Sequence, residues 1–229
     1  MFESPDIAAK ITRLSVAFVP MLLGIVCHEV AHGYAAYKLG DPTAKLQGRL
    51  TLNPIAHLDT MGSLLFIITA LTGPFIIGWA KPVPVQPRYF SNPRKGMMLT
   101  SFAGPAVNFI LALLFGGLYA LLVSFLINGT LPLTSVSKFL LNAARIGILI
   151  NITLGWFNLL PLPPLDGGHI LGGLLPRALA EKYYTISRYG ILILVILIAS
   201  GLFRHIMGPL VDVSTDVIRM MFAIPPKLL

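Results

Sequence analysis

Long apolar runs constrain the fold of this chain more than any other feature of its sequence. They cover about residues 14–37, 61–80, 97–127, 139–161 and 189–203. A helix needs about 20 apolar residues to cross a bilayer, and the last run is short for this. Only 11% of the 229 residues are charged, against about 25% in a soluble domain, so the chain lacks the charge to cover a water-facing surface. We therefore expect one membrane domain over residues 1–229.

The basic residues lie between these apolar runs. A formal net charge of +8 can indicate nucleic acid binding, but cytoplasmic loops of membrane proteins also carry an excess of Lys and Arg. We therefore expect the lipid bilayer as a partner and no nucleic acid. The same bias predicts the N-terminus and residues 128–137 outside, residues 38–96 cytoplasmic or re-entrant, and residues 163–188 cytoplasmic.

The run at residues 61–80 has basic segments on both sides. If it crossed the membrane, these segments would lie in opposite compartments, against the charge bias. A re-entrant hairpin that turns at Thr72-Gly73-Pro74 would return both ends to the cytoplasm, and non-helical backbone at membrane depth is tolerated where protein buries it. An ordinary span with an imperfect charge bias is the alternative.

The first run contains the sequence HEVAH at residues 28–32. His28 and His32 are four residues apart, so on a helix both imidazoles can face one metal ion. Glu29 is adjacent to the first ligand and can reach a water at that ion as a general base. A charged group at the centre of a membrane helix costs about 2.5–3.5 kcal/mol, which favours a functional site over packed, hydrogen-bonded histidines.

A catalytic zinc takes three protein ligands and a water, so a third ligand is needed. Asp166 is the first candidate because it follows the proline-rich sequence NLLPLPPL, where prolines prevent a regular helix. Gly167 and Gly168 then allow the backbone to approach another helix closely. Spacing alone also leaves His169 and His57 open as the third ligand.

Five motifs together resemble those of a known family. HEVAH, GPAVN (104–108) and NLLPLPPLDGG (158–168) resemble the HExxH, GPxxN and NxxPxxxLDG motifs of the site-2 proteases, which are intramembrane zinc metalloproteases. NPIAHLDTMG (53–62) and GWAKPVPV (78–85) look like the compact prokaryotic branch without a PDZ domain. The resemblance covers about residues 20–175. It implies one Zn²⁺ per chain held by His28, His32 and Asp166, with Asn108 near the active site and His57 at the branch's NPxxHxD histidine.

Within this resemblance, Glu29 is the expected general base of peptide-bond hydrolysis. A hydrogen-bond donor must also stabilise the developing oxyanion, and Asn108 and His57 are the candidates. Asn108 has an alternative role, a hydrogen bond to a neighbouring helix. His57 also has one, as an interfacial loop residue capped by Asp59.

The sequence KPVPVQPRY (81–89) predicts a short extended strand. Pro82 and Pro84 leave one edge of it without N–H donors, whereas Val83 and Val85 keep theirs on the opposite edge. We expect this strand to join a membrane-associated β-segment with TLNP (51–54) or its neighbours. The donor edge of this strand, or that of a partner strand, would then hold an unwound substrate. The alternative is an edge strand that proline protects from pairing.

The predicted fold is an all-α polytopic membrane protein with about five or six transmembrane or re-entrant helices and this small β-segment. The catalytic core is expected over about residues 14–175 and the C-terminal helices over about 183–224, with 206–224 as an interfacial or packed amphipathic helix. The predicted function is a zinc endopeptidase of the prokaryotic plasma membrane that cleaves transmembrane protein substrates. A metal transporter and a non-catalytic binder of membrane helices are the alternatives.

Overall fold

The computed structural model describes residues 7–72 and 78–225, and helices dominate both ranges. The described residues form nine α-helices: α1 (Ile7–Lys38), α2 (Thr43–Leu46), α3 (Thr60–Thr72), α4 (Pro93–Ile127), α5 (Ser135–Leu159), α6 (Asp166–Leu174), α7 (Arg177–Ser187), α8 (Gly190–Ala199) and α9 (Leu202–Met221). Two short 3₁₀ turns lie at Pro54–His57 and Pro87–Tyr89. The described part of the chain is therefore helical, as predicted.

Three helices are long and apolar enough to cross a membrane, namely α1 from Leu14 onward, α4 and α5. A fourth span exists if α7 and α8, which meet at an angle of 66°, count as one broken helix. The predicted number of five or six is therefore not confirmed within the described residues. Helix α3 has 13 residues, so at about 1.5 Å per residue it is shorter than the roughly 30 Å hydrocarbon core.

The two ends of the apolar run at 61–80 lie next to each other. Leu58 and Ala80 form an isolated antiparallel β-bridge, and a methyl group at Gly62 would lie 2.2 Å from the carbonyl oxygen of Trp79. A straight span would instead separate these ends by the thickness of the bilayer. The contact agrees with the re-entrant hairpin, whose predicted turn at Thr72-Gly73-Pro74 reaches into residues 73–77, outside the described part of the chain.

The β-segment expected between residues 81–89 and residues 51–54 is not confirmed in the described part of the chain. The bridge between Leu58 and Ala80 is the one β-contact in the described residues, and no ladder extends from it. Residues 81–86 run without helical structure, and their N–H groups find other partners. Lys81 donates to the carbonyl oxygen of His57 at 2.8 Å, whereas two later amides donate to carboxylates.

Helix α9 packs against the membrane helices. Of the two alternatives predicted for residues 206–224, an interfacial or a packed amphipathic helix, this agrees with the packed one. Ile218 is buried in the same apolar cluster as Ile148 and Ile152 of α5. Trp156 Nε1 of α5 also donates to Ser214 Oγ of α9 at 2.9 Å. The separation into a core ending near residue 175 and C-terminal helices from 183 stays a prediction.

Candidate metal centre

Three side chains from two distant parts of the chain meet at one point. Nε2 of His28 lies 2.9 Å from Nε2 of His32, and Asp166 Oδ2 lies 3.1 Å from the first and 3.2 Å from the second. In the described residues these three form the one group of His, Cys, Asp or Glu side chains able to hold a metal ion. His169 and His57, the other candidates for the third ligand, are not part of it.

The geometry of the three ligand atoms fits zinc. Tetrahedral zinc with bonds of about 2.0–2.1 Å to nitrogen and oxygen holds neighbouring ligand atoms about 3.3 Å apart, close to the separations observed here. Asp166 Oδ2 is buried and has no hydrogen-bond partner, which is costly for a carboxylate oxygen without a cation. Two imidazoles and one carboxylate also match the donor set of a catalytic zinc with one open position.

Helix α4 fixes the orientation of both imidazoles. His28 Nδ1 lies 2.6 Å from Asn108 Oδ1, and His32 Nδ1 lies 2.8 Å from the carbonyl oxygen of Thr100. Because both partners are acceptors, each Nδ1 carries the proton and each Nε2 presents its lone pair to the metal position. Such outer hydrogen bonds select the tautomer and raise the affinity of histidine ligands for metal.

Gly104 lies between these two anchors on the same face of α4. A methyl group there would lie 2.5 Å from Nε2 of His32 and 2.6 Å from Cε1 of His28. Real side-chain carbons do not approach other atoms this closely, so the close contact between α1 and α4 requires glycine. The first residue of the GPAVN motif, Gly104, thus leaves space for His28 and His32, and the last, Asn108, orients His28.

Asn108 is fully buried and all of its polar hydrogens are in use. Its Nδ2 donates to the carbonyl oxygen of Gly24 at 3.1 Å and to Asn151 Oδ1 at 3.0 Å. Asn151 is also fully buried and donates to Gly147. Sequence reasoning missed Asn151, although a buried asparagine in an apolar run is a signal that could have found it.

Asp166 is the first residue of α6. This position favours a carboxylate because the helix dipole is positive there. A methyl group at Gly167 would lie 2.3 Å from the carbonyl oxygens of Leu159 and Leu160, so glycine allows α6 to start directly against the end of α5. The predicted close approach is present, with both glycines inside the first turn of α6.

Arg94 binds the opposite end of α6. Its Nη2 donates to the carbonyl oxygens of Gly172, at 3.0 Å, and Leu175. Both are among the last carbonyls of the helix, which lack partners within it. A cation at the C-terminal end also complements the helix dipole. Arg94 therefore connects the start of α4 to the helix that carries Asp166.

Glu29 directly follows His28 on α1. Its Oε2 accepts a hydrogen bond of 2.8 Å from the backbone N–H of Val83. Its Oε1 makes no hydrogen bond to the described part of the chain. Val83 N–H, predicted to be a donor to substrate, thus binds the expected general base instead.

His57 is buried in the loop before α3, with 2% of its surface exposed. Its Nε2 lies 2.8 Å from the carbonyl oxygen of Thr51 and so carries the proton, while Nδ1 has no partner. Asp59, the expected cap of this histidine, instead accepts from the N–H of Gly62 at the start of α3. In this arrangement the N–H of His57 is already bound by the carbonyl oxygen of Thr51.

Two histidines four residues apart on a membrane helix, with a distant aspartate beside them, form the ligand set expected of a membrane metalloprotease. Residues 127–198 match Peptidase family M50, and the chain is 40% identical to YwhC of Bacillus subtilis (strain 168) over 90% of both chains. The chain is therefore a member of Peptidase family M50, the site-2 proteases.

Two further relatives are longer than this chain. Rip2 of Mycolicibacterium smegmatis is 33% identical over 77% of this chain and 64% of its own length. MJ0392 of Methanocaldococcus jannaschii is 29% identical over 74% of this chain and 36% of its own length. The names of all three relatives contain the words zinc metalloprotease, in agreement with the predicted cofactor. No solved structure matches the chain.

Proposed function

We propose that the protein is an intramembrane zinc endopeptidase that hydrolyses peptide bonds within or near the transmembrane helices of membrane proteins. The observation that carries this proposal is the meeting of His28, His32 and Asp166 beside Glu29. A site for metal binding alone needs the three ligands but no base. The single cluster in the described residues also favours an enzyme over a transporter, which needs successive sites along a path.

The depth of the site follows from helix geometry. His32 and His28 precede Lys38, the last residue of α1, by six and ten residues. At about 1.5 Å per residue, the metal position lies roughly 9–15 Å from the level of Lys38. If Lys38 marks the cytoplasmic interface of a prokaryotic plasma membrane, the site lies within the hydrocarbon and nearer the cytoplasm. The substrates are then transmembrane proteins in the same bilayer.

Each residue has one task in the proposed reaction. His28, His32 and Asp166 would hold one Zn²⁺, which when bound supplies a Lewis acid that activates water and polarises the scissile carbonyl. The free Oε1 of Glu29 accepts the proton of the attacking water and passes it to the leaving amine nitrogen. Asn108 holds His28 in the ligand tautomer. Stabilisation of the oxyanion stays a prediction for Asn108 and His57. Asn108 could donate to an oxyanion only if its Nδ2 gave up its hydrogen bond to Gly24 or Asn151.

One assay tests the proposal. The purified protein and Glu29→Gln are compared for bound zinc and for cleavage of a panel of single-span membrane proteins. We expect about one zinc per chain in both proteins and loss of cleavage in the variant, because the glutamine amide cannot accept the proton. Equal cleavage by both proteins would refute the role of Glu29. Zinc flux into liposomes without any peptidase activity would favour the transporter instead.

A further inference from the structure

The segment at residues 81–86 is held by groups outside it rather than by a partner strand. It contains four backbone N–H groups, because positions 82 and 84 are prolines. Three of the four donate across the fold: Lys81 to the carbonyl oxygen of His57 at 2.8 Å, Val83 to Glu29 Oε2 at 2.8 Å and Gln86 to Asp41 Oδ2 at 2.6 Å. The position of Val83 therefore depends on what holds the segment on either side of it.

Asp41 holds the C-terminal end of the segment. It is fully buried just after α1. Its Oδ1 accepts the N–H of Thr43 at 2.9 Å and the hydroxyl of the same residue at 2.5 Å, so both carboxylate oxygens are used. Burial alone would raise the pKa of Asp41, but the hydrogen bonds from Gln86 and Thr43 and the nearby charge of Arg88 hold it below its usual value. The carboxylate is therefore ionised at neutral pH.

Arg49 holds the N-terminal end. Only 6% of its surface is exposed, and its Nη2 donates to the carbonyl oxygen of Lys81 at 2.6 Å. A buried guanidinium usually pairs with a carboxylate, but within the described residues Arg49 has backbone carbonyl partners only. The buried guanidinium of Arg49 is thus used to hold the backbone of residues 81–86 in place.

The segment packs directly against the helix that carries the metal ligands. A methyl group at Gly33, the residue after His32, would lie 2.9 Å from Cγ1 of Val83 and 2.7 Å from Cδ2 of Leu50. The missing side chain at Gly33 thus leaves space for Val83 one turn away from Glu29. A shift of residues 81–86 by about 1 Å would lengthen the 2.8 Å hydrogen bond between Val83 and Glu29 beyond hydrogen-bonding distance.

We propose that Asp41 and Arg49 are positioning residues for Glu29, acting through the extended segment at residues 81–86. By fixing the two ends of the segment, they keep the hydrogen bond from Val83 N–H to Oε2 of Glu29. Oε1 of Glu29 then stays free to accept the proton of the attacking water. Neither residue contacts His28, His32 or Asp166 in the structure. This inference rests on the proposed peptidase function for its kinetic consequence, but the positioning itself is independent of activity.

Hydrogen exchange of the full-length protein measures the positioning directly. The segment at residues 81–86 has only four backbone amides, so the exchange rate of each amide reports one or very few contacts. We expect Glu29→Ala to raise the exchange rate of the Val83 amide alone. We expect Arg49→Ala and Asp41→Asn to raise the exchange rates of the amides in residues 81–86 at least 10-fold. Asn has one carbonyl oxygen and cannot replace both oxygens of Asp41. The matched control is Asp59→Asn, because Asp59 uses one oxygen only, and we expect its exchange to match the wild type.

Three further measurements separate positioning from general damage. We expect Asp41→Asn and Arg49→Ala to keep zinc near one per chain and to lower kcat at least 10-fold with little change in KM, with partial recovery in Arg49→Lys, which keeps a cationic donor. Exchange at the wild-type rate in both variants would overturn the proposal, as would fast exchange with unchanged kcat. Loss of zinc would also overturn it, because these residues would then act on the ligands. If the wild type itself shows no cleavage, the proposed function fails while the exchange rates still decide the positioning.

Discussion

His28 and Asn108 form a buried hydrogen bond of 2.6 Å between α1 and α4. It joins a proposed metal ligand to a residue whose amide group is itself fixed by Gly24 and Asn151. The orientation of one ligand therefore depends on the packing of three helices. Outer hydrogen bonds of this kind contribute about 10- to 100-fold to metal affinity.

Replacement of Asn108 by alanine should therefore weaken zinc binding by about 10- to 100-fold, because the tautomer and ring angle of His28 are no longer fixed. The dissociation constant is measured by competition with a chelator of known affinity. Asn128→Ala, at the exposed end of the same helix, is the control and should bind zinc like the wild type. Equal affinities in the two variants would contradict an orienting role for Asn108.

Gly104→Ala should remove zinc binding through a steric effect. The added methyl group would lie 2.5 Å from Nε2 of His32, so either the imidazole or helix α4 must move. Gly117→Ala on the same helix places a methyl group 3.3 Å from the ring of Phe222, a contact that a small ring movement relieves. Since alanine favours a helix over glycine by about 1 kcal/mol, the control should keep its zinc and gain thermal stability. Zinc at the wild-type level in Gly104→Ala would disprove the close contact.

Much of this site could be predicted from the sequence because local geometry determines it. The spacing of His28 and His32 places both on one helix face, and a carboxylate at a proline-rich helix break needs a cation, which marks Asp166. The three long helices α1, α4 and α5 follow from the lengths of their apolar runs, whereas the predicted number of five or six does not. These inferences need no knowledge of which helices touch.

The remaining features depend on contacts between distant segments. The carbonyl of Thr100 leaves no sequence pattern, and Asn151 stands out only as a polar residue in an apolar run. Their hydrogen bonds at the site form because α4 and α5 pack beside α1. Val83 was predicted to donate to a substrate, since an extended strand leaves its N–H free. The structure gives that N–H to Glu29, because Asp41 and Arg49 in the loop after α1 bind the segment beside the helix that carries this proposed base.

Arg94→Ala should destabilise the protein and weaken zinc binding modestly. Arg94 donates to carbonyl oxygens at the C-terminal end of α6, and loss of a hydrogen bond to a charged group costs about 1.5–3 kcal/mol. Because Asp166 starts the same helix, fraying of its far end should lower zinc affinity by a few fold. Lys95→Ala, which removes an exposed cation beside it, serves as the control for charge. Identical melting temperatures and affinities in the two variants would show that Arg94 does not support α6.

The stabilisation of the fold by Asp41 should decrease at acid pH and stay constant at neutral pH. The folded protein holds the pKa of Asp41 below its ordinary value of 3.8, so the ionised carboxylate stabilises the fold. This contribution is complete above the unfolded value and is lost as the pH falls through the lower folded value. The difference in melting temperature between the wild type and Asp41→Asn should therefore be constant at neutral pH and shrink only below about pH 4. Thermal unfolding in detergent between pH 7 and pH 3 measures it, with Asp59→Asn as the comparison. A difference that grew on acidification would mean that Asp41 is buried in its protonated form, and its hydrogen bonds from Thr43 and Gln86 would need another explanation.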